Sequence, residues 1–131
     1  MSSSLIKPEE TVGKAVVDSA ILVHRELGSG LLESVYEAVL AAELESRGHT
    51  VSRQVPVRIN YRDMVFEEGF RADIIVDRLV LLELKSVERT NSAHRKQLLT
   101  YLRLTGLKLG YLLNFGESLM RNGIVRTVNG L

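Results

Sequence analysis

Two apolar bursts in the middle of this chain carry charges that buried strands rarely hold. Ala72-Asp73-Ile74-Ile75-Val76 and Leu79-Val80-Leu81-Leu82-Glu83-Leu84-Lys85 are too short for independent helices and rich in strand formers. Asp77-Arg78 stands between them, so the pair reads as a hairpin in the middle of a sheet. Residues two apart in a strand share a face, so Glu83 and Lys85 point one way and Leu82 and Leu84 the other. Pairing through Asp77-Arg78 brings Asp73 towards the same end of the hairpin. Burying an aspartate, a glutamate and a lysine together is costly unless they pair or bind a metal. Two carboxylates at one place repel, and a divalent cation removes the repulsion. Oxygen ligands, with no cysteine in the chain and no paired histidines, point to Mg²⁺ or Mn²⁺ rather than Zn²⁺. The alternative is a salt bridge on a half-exposed sheet, with Lys85 neutralising Glu83 or Asp73.

The flanking sequence sets a mixed α/β order. Pro8, Glu9 and Glu10 suit a first helical turn, and Val12, Val16, Ala20, Val23 and Leu27 recur at helical spacing over about residues 9–27. Gly28-Ser29-Gly30 breaks that helix. A second places Leu32, Val35, Tyr36, Val39 and Leu40 on one stripe and ends near Gly48. Alternation from His49 to Tyr61 reads as a strand, and Tyr61-Arg62-Asp63 as a turn into another over Val65–Phe70. After the charged hairpin, Thr90-Asn91-Ser92 offers caps for a helix over about 91–105, stopped by Gly106. Leu109–Asn114 and Ile124–Val128 complete the strands, around a turn at 116–123. With 131 residues, 45% hydrophobic and 25% charged, one globular domain over 1–131 is expected, with residues 1–7 flexible. No signal segment or long apolar run is evident, so the expected location is cytoplasmic, without a membrane. Charge is uneven: residues 1–84 hold 9 Lys+Arg against 14 Asp+Glu, and residues 85–131 hold 8 against 2. That asymmetry suits contact with a polyanion, unless folding mixes the two halves.

Four ordered motifs carry a family resemblance. Asp73, a hydrophobic spacer and Glu83-Leu84-Lys85 resemble the Asp…Glu-X-Lys signature of the PD-(D/E)XK nuclease superfamily. Gly69-Phe70-Arg71-Ala72-Asp73 resembles the glycine-led approach to the metal aspartate in the RecB-like branch. Gln97-Leu98-Leu99-Thr100-Tyr101 is similar to the Gln-x-x-x-Tyr helix of that branch. Gly30-Leu31-Leu32-Glu33-Ser34-Val35-Tyr36 resembles the name-giving pattern of the GxxExxY proteins. The resemblance implies a restriction-endonuclease-like αβββαβ core: a mixed central sheet flanked by helices, here with an extra N-terminal helix.

It also implies an Mg²⁺- or Mn²⁺-dependent hydrolase of nucleic acid, DNA before RNA, with roles for particular residues. Asp73 and Glu83 hold the cation together with the backbone carbonyl of Leu84. Lys85 orients a water or stabilises the charge that develops on the phosphate. Glu33 completes the acidic cluster from the second helix, with Glu37 as its rival four residues on. Gln97 and Tyr101 lie one helical turn apart and position the site or touch the backbone, together with His94, Arg95 and Lys96. Tyr36 reads as core, and His24 and His49 as solvated. A chain without a helix-turn-helix, zinc finger or long basic arm is expected to need a targeting partner or self-association. The competing reading is a non-catalytic binding or assembly module that keeps the fold.

Overall fold

Pro8 fixes the first turn of helix α1 (Pro8–Leu27), and Glu9 and Glu10 face its positive end. Gly28, at φ 73°, ends it in a conformation that side chains with a Cβ disfavour. Helix α2 (Glu33–Ser46) follows, then strands β1 (Val51–Tyr61), β2 (Met64–Val76) and β3 (Val80–Lys85), helix α3 (Ser92–Thr105), strand β4 (Leu109–Asn114), a 3₁₀ turn (Met120–Gly123) and strand β5 (Ile124–Val128). This computed structural model describes residues 5–131. For residues 1–4 the expected flexibility therefore lies outside the described part.

The five strands stand in sequence order, β1-β2-β3-β4-β5. All neighbours are antiparallel except β3 and β4, which run parallel and are joined across α3. The mixed α/β architecture agrees with a restriction-endonuclease-like fold, including the extra helix before the αβββαβ series. Helices α1 and α2 cover one face, where Val16, Ala20, Tyr36 and Leu40 pack on Ile74, Leu82, Leu84 and Leu113. Helix α3 covers the other face with Leu98 and Leu102 on Ala72, Leu81 and Leu112. Strand β3 is therefore buried on both faces, which explains its nearly continuous apolar run.

Four expectations need correction. The segments Val65–Phe70 and Ala72–Val76 belong to one strand of 13 residues, because β1 pairs along nearly all of it. Strand β1 pairs with β2 on both sides of Glu67–Gly69, where the register shifts and the apolar pattern lapses. The buried face of α2 is Tyr36, Glu37, Leu40, Ala41 and Leu44, turned away from the stripe expected, and Leu32, Val35 and Val39 are exposed. His24 is buried, with Nε2 2.7 Å from the Glu117 carbonyl, because the end of α1 packs on the loop after β4. His49 is half-buried and pairs with Asp77 at 2.6 Å. The expected caps of α3 are present: Asn91 Oδ1 accepts from the His94 N–H, His94 Nδ1 accepts from the Asn91 N–H, and Gly106 closes the helix in the left-handed region.

Candidate active site

The site begins where β2 and β3 part. Their ladder runs only from Val76↔Val80 to Ile74↔Leu82. At the next position the side chains replace the backbone bonds. The Leu84 N–H donates to Asp73 Oδ2 at 2.8 Å, and the Asp73 N–H donates to Glu83 Oε1 at 3.3 Å. Ala72 and Ile74 would share a face in a regular strand, yet they join opposite layers of the core. The alternation slips at Asp73, and that slip turns its carboxylate into the gap between the strands. Asp73 and Glu83 thus meet at one place.

Electrostatics mark the pair as strained by its own charge. Burial holds the Asp73 carboxyl above its ordinary range against the Leu84 N–H, and the charges of Glu37 and Glu33 add to the effect. Burial, then the charge of Asp73, pushes Glu83 up to about 8. Lys85 acts in the opposite sense on both, so its ammonium is near enough to be felt. It makes no ion pair within 4.0 Å with either acid, and the salt-bridge alternative is not realised among the described residues.

A cleft over Asp73 and Leu84 is lined further by Glu33, Glu37, Arg53 and Gln54. Both α2 acids face it, but differently. Glu37 is buried and spoken for: Oε2 accepts from Arg53 Nε at 3.0 Å and Oε1 from Gln54 Nε2 at 2.6 Å. Glu33 is exposed, with one long contact, the Ser86 N–H at 3.4 Å from Oε2. It does not close a three-acid cluster: no group of three or more His, Cys, Asp or Glu able to hold a metal is present among the described residues.

On the other face, Tyr101 stacks on Phe70 with ring centres 3.8 Å apart. Burial raises its phenol, followed by the charges of Glu83 and Asp73, while Gln97 beside it works the other way. Tyr101 and Gln97 therefore border the acid pair from α3. Arg95 and Lys96 are exposed on that helix, and His94 is occupied in the cap of α3.

The Gly30–Tyr36 motif is mainly a brace. Gly30 sits at φ 98°, where a Cβ would be strained. The Tyr36 hydroxyl donates to the Gly28 carbonyl at 2.6 Å and accepts from the Leu31 N–H at 3.1 Å. Its ring stacks on Phe115 at 4.5 Å, in the core as expected. Ser86 Oγ donates to the Leu31 carbonyl at 2.7 Å, tying this loop to the end of β3.

Sequence reasoning overlooked Arg53, Gln54 and Asn114. Asn114 is buried; its Oδ1 accepts from the N–H groups of Val87 and Gly116, and its Nδ2 donates to the Val87 carbonyl. It thereby fixes the chain just after Lys85. A polar residue closing the wholly apolar run Leu109–Leu113 was the available signal. Gln54 has φ 51°, unusual for a residue with a side chain, and that turn aims its amide at Glu37.

A search of curated proteins and a search of solved structures found no match. A family model described as the PD-(D/E)XK nuclease superfamily matches residues 10–127, which span every element from α1 to β5 except the two ends. With the acids converging at the parting of β2 and β3 and nearly the whole chain matched, this protein belongs to the PD-(D/E)XK nuclease superfamily.

Proposed function

We propose that the chain hydrolyses phosphodiester bonds of nucleic acid, DNA in the first place, at the Asp73–Glu83–Lys85 cluster with Mg²⁺ or Mn²⁺. One observation carries the reading. Two carboxylates converge on one point, both held above their ordinary range, without an ion pair to settle their charge. Acids that serve stability shift the other way, so this pair has the character of a site.

The donor set fits a hard divalent cation. Asp73 Oδ2 and Glu83 Oε1 are engaged by backbone N–H groups, which leaves the other oxygen of each carboxylate uncommitted among the described residues. Family likeness adds the Leu84 carbonyl as a third ligand. When bound, the cation neutralises charge at the attacked phosphate and makes water a better nucleophile. Lys85, two residues from Glu83 on the same face, holds the attacking water or donates to the developing negative charge. Glu33, with a carboxylate not tied to any side chain, is the α2 acid free to turn towards the site. Glu37, held by Arg53 and Gln54, steadies the cleft wall instead. Tyr101 and Gln97 border the pair, and Arg95 and Lys96 extend the phosphate contacts along α3. Within the superfamily, the Gly30–Tyr36 and Gln97–Tyr101 patterns favour the GxxExxY proteins and the RecB-like branch.

The test is cleavage of a panel of single-stranded, double-stranded and branched DNA and RNA with Mg²⁺ or Mn²⁺, with and without EDTA. Wild type should cut at least one substrate, EDTA should stop it, and Asp73→Ala should abolish it. Wild type that binds Mn²⁺ yet leaves the whole panel intact would replace this reading with a binding module on the same fold.

A further inference from the structure

Three hollows follow one another along the surface from the acid pair. The cleft over Asp73 shares Glu33 and Ser34 with a second hollow, which reaches Leu31 and Ser86. Back along the same loop, Gly28 and Ser29 line the third and largest, a cavity of about 750 Å³. The loop 28–34 thus forms a common wall from the acids to this cavity, and Ser86 Oγ and the Tyr36 hydroxyl pin it at two points.

The cavity draws its cations from two separate elements. Arg25 comes from the last turn of α1 and Arg121 from the 3₁₀ turn after β4. Five arginines of this chain, Arg47, Arg53, Arg58, Arg71 and Arg126, lie within 4.0 Å of a carboxylate. Arg25 and Arg121 do not, among the described residues, and neither do Arg62, Arg78, Arg89, Arg95 and Arg103; what sets Arg25 and Arg121 apart is the cavity they share. Two guanidiniums left without acids on one concave surface favour an anion there. Arg25 also suits the negative end of α1, but that role asks for no second cation in the same cavity. Ser29 and Ser118 add hydroxyl donors, and half-exposed Leu119 offers an apolar surface. The His24–Glu117 contact of 2.7 Å fixes the floor before any ligand arrives.

We propose that this cavity holds a backbone phosphate of the nucleic-acid strand that runs from the Asp73–Glu83 cleft, with Arg25 and Arg121 as its contacts. The inference rests on the reading that nucleic acid occupies the acid cleft, and it adds the path of the strand along loop 28–34. It adds contacts on the α1 side of the cleft to those proposed along α3.

Binding is read by fluorescence anisotropy of labelled single-stranded DNA and, in a parallel arm, RNA. The Asp73→Ala chain with Mg²⁺ serves as background, so that cleavage does not intervene. Adding Arg25→Ala and Arg121→Ala together should weaken binding roughly ten-fold or more, and should flatten the log–log salt slope by about 0.7, the value for one lost phosphate contact. Lys108→Ala removes one charge next to the start of β4, at the end of the sheet remote from Lys85, and should leave affinity and slope unchanged. If the double variant binds like its background, the strand does not enter the cavity, and this inference fails while the proposed chemistry stands. If the Asp73→Ala chain binds neither strand even at low salt, both readings fall.

Discussion

One hairpin carries two acid sites of opposite character. At its turn, Asp77 and Arg78 both have positive φ, 52° and 58°, and the Leu79 N–H closes the turn on the Val76 carbonyl at 2.9 Å. The Asp77 carboxylate meets His49 at 2.6 Å and accepts from the Thr50 N–H at 2.8 Å. Partial burial works against its charge, yet His49 and Thr50 outweigh it and hold the carboxyl below the ordinary range. At the other end of the hairpin, burial drives Asp73 and Glu83 above theirs, with the charges of Glu37 and Glu33 adding to the effect on Asp73 and that of Asp73 to the effect on Glu83. Asp77 is thus an acid whose charge the fold satisfies, tying β1 to the turn. Asp73 and Glu83 are acids whose charge the fold leaves for something else to satisfy. All three are carboxylates of one hairpin; the partners decide.

The largest expected difference between the two ends is in activity. Lys85→Ala should lower the cleavage rate about a hundred- to a thousand-fold, the loss of roughly 2.7–4 kcal/mol found on removing a comparable electrostatic stabiliser. Asp77→Ala should leave the rate of the folded enzyme close to wild type in the same assay. Equal losses in the two variants would erase the functional distinction between the ends.

Stability against pH should separate them next. In EDTA, Glu83 titrates near 8 in the folded chain against 4.5 when free, so folding favours its protonated form. The corresponding stability is fully present below 4.5 and is lost as pH rises through about 8, by an amount on the order of a few kcal/mol. Asp77 has the opposite sign: its contribution is present above its free value of 3.8 and is lost as pH falls through the lower folded value. Urea melts across this range should show the high-pH loss in wild type and not in Glu83→Gln. A high-pH loss unchanged by that substitution would place its origin elsewhere.

A divalent cation should act only at the open end. Mg²⁺ or Mn²⁺ at about a hundred times its Kd should raise stability by about 2.7 kcal/mol, and Asp73→Ala should remove most of that gain. Asp77→Ala should retain it. The smallest effect expected is the cost of Asp77→Ala itself, about 1 kcal/mol in a denaturant melt, since its partners are half-exposed and water replaces part of the bonding.

Several features were legible because they depend on local chemistry. Parity in Leu79–Lys85 put Glu83 and Lys85 on one face, Asp77-Arg78 marked the turn, and Asn91 and Gly106 bounded α3. Sequence periodicity reached its limit at α2. Glu33 and Glu37 are four residues apart, so they lie on the same side of the helix, and only packing against Ile74 and Leu84 settled which is buried. Likewise, nothing local distinguishes a solvated histidine from His24 under the Glu117 carbonyl, or an ordinary strand glutamine from Gln54 turned towards Glu37. The sequence by itself determined the order of elements, the hairpin that brings Asp73 towards Glu83 and the chemistry such a pair can support, because turn residues and oxygen donors follow from residue identity alone. Tertiary structure decided the slip that turns Asp73 between the strands, how far those acids are driven from their ordinary ionisation and which neighbours stay free to help them, because packing, burial and field depend on groups distant in the chain.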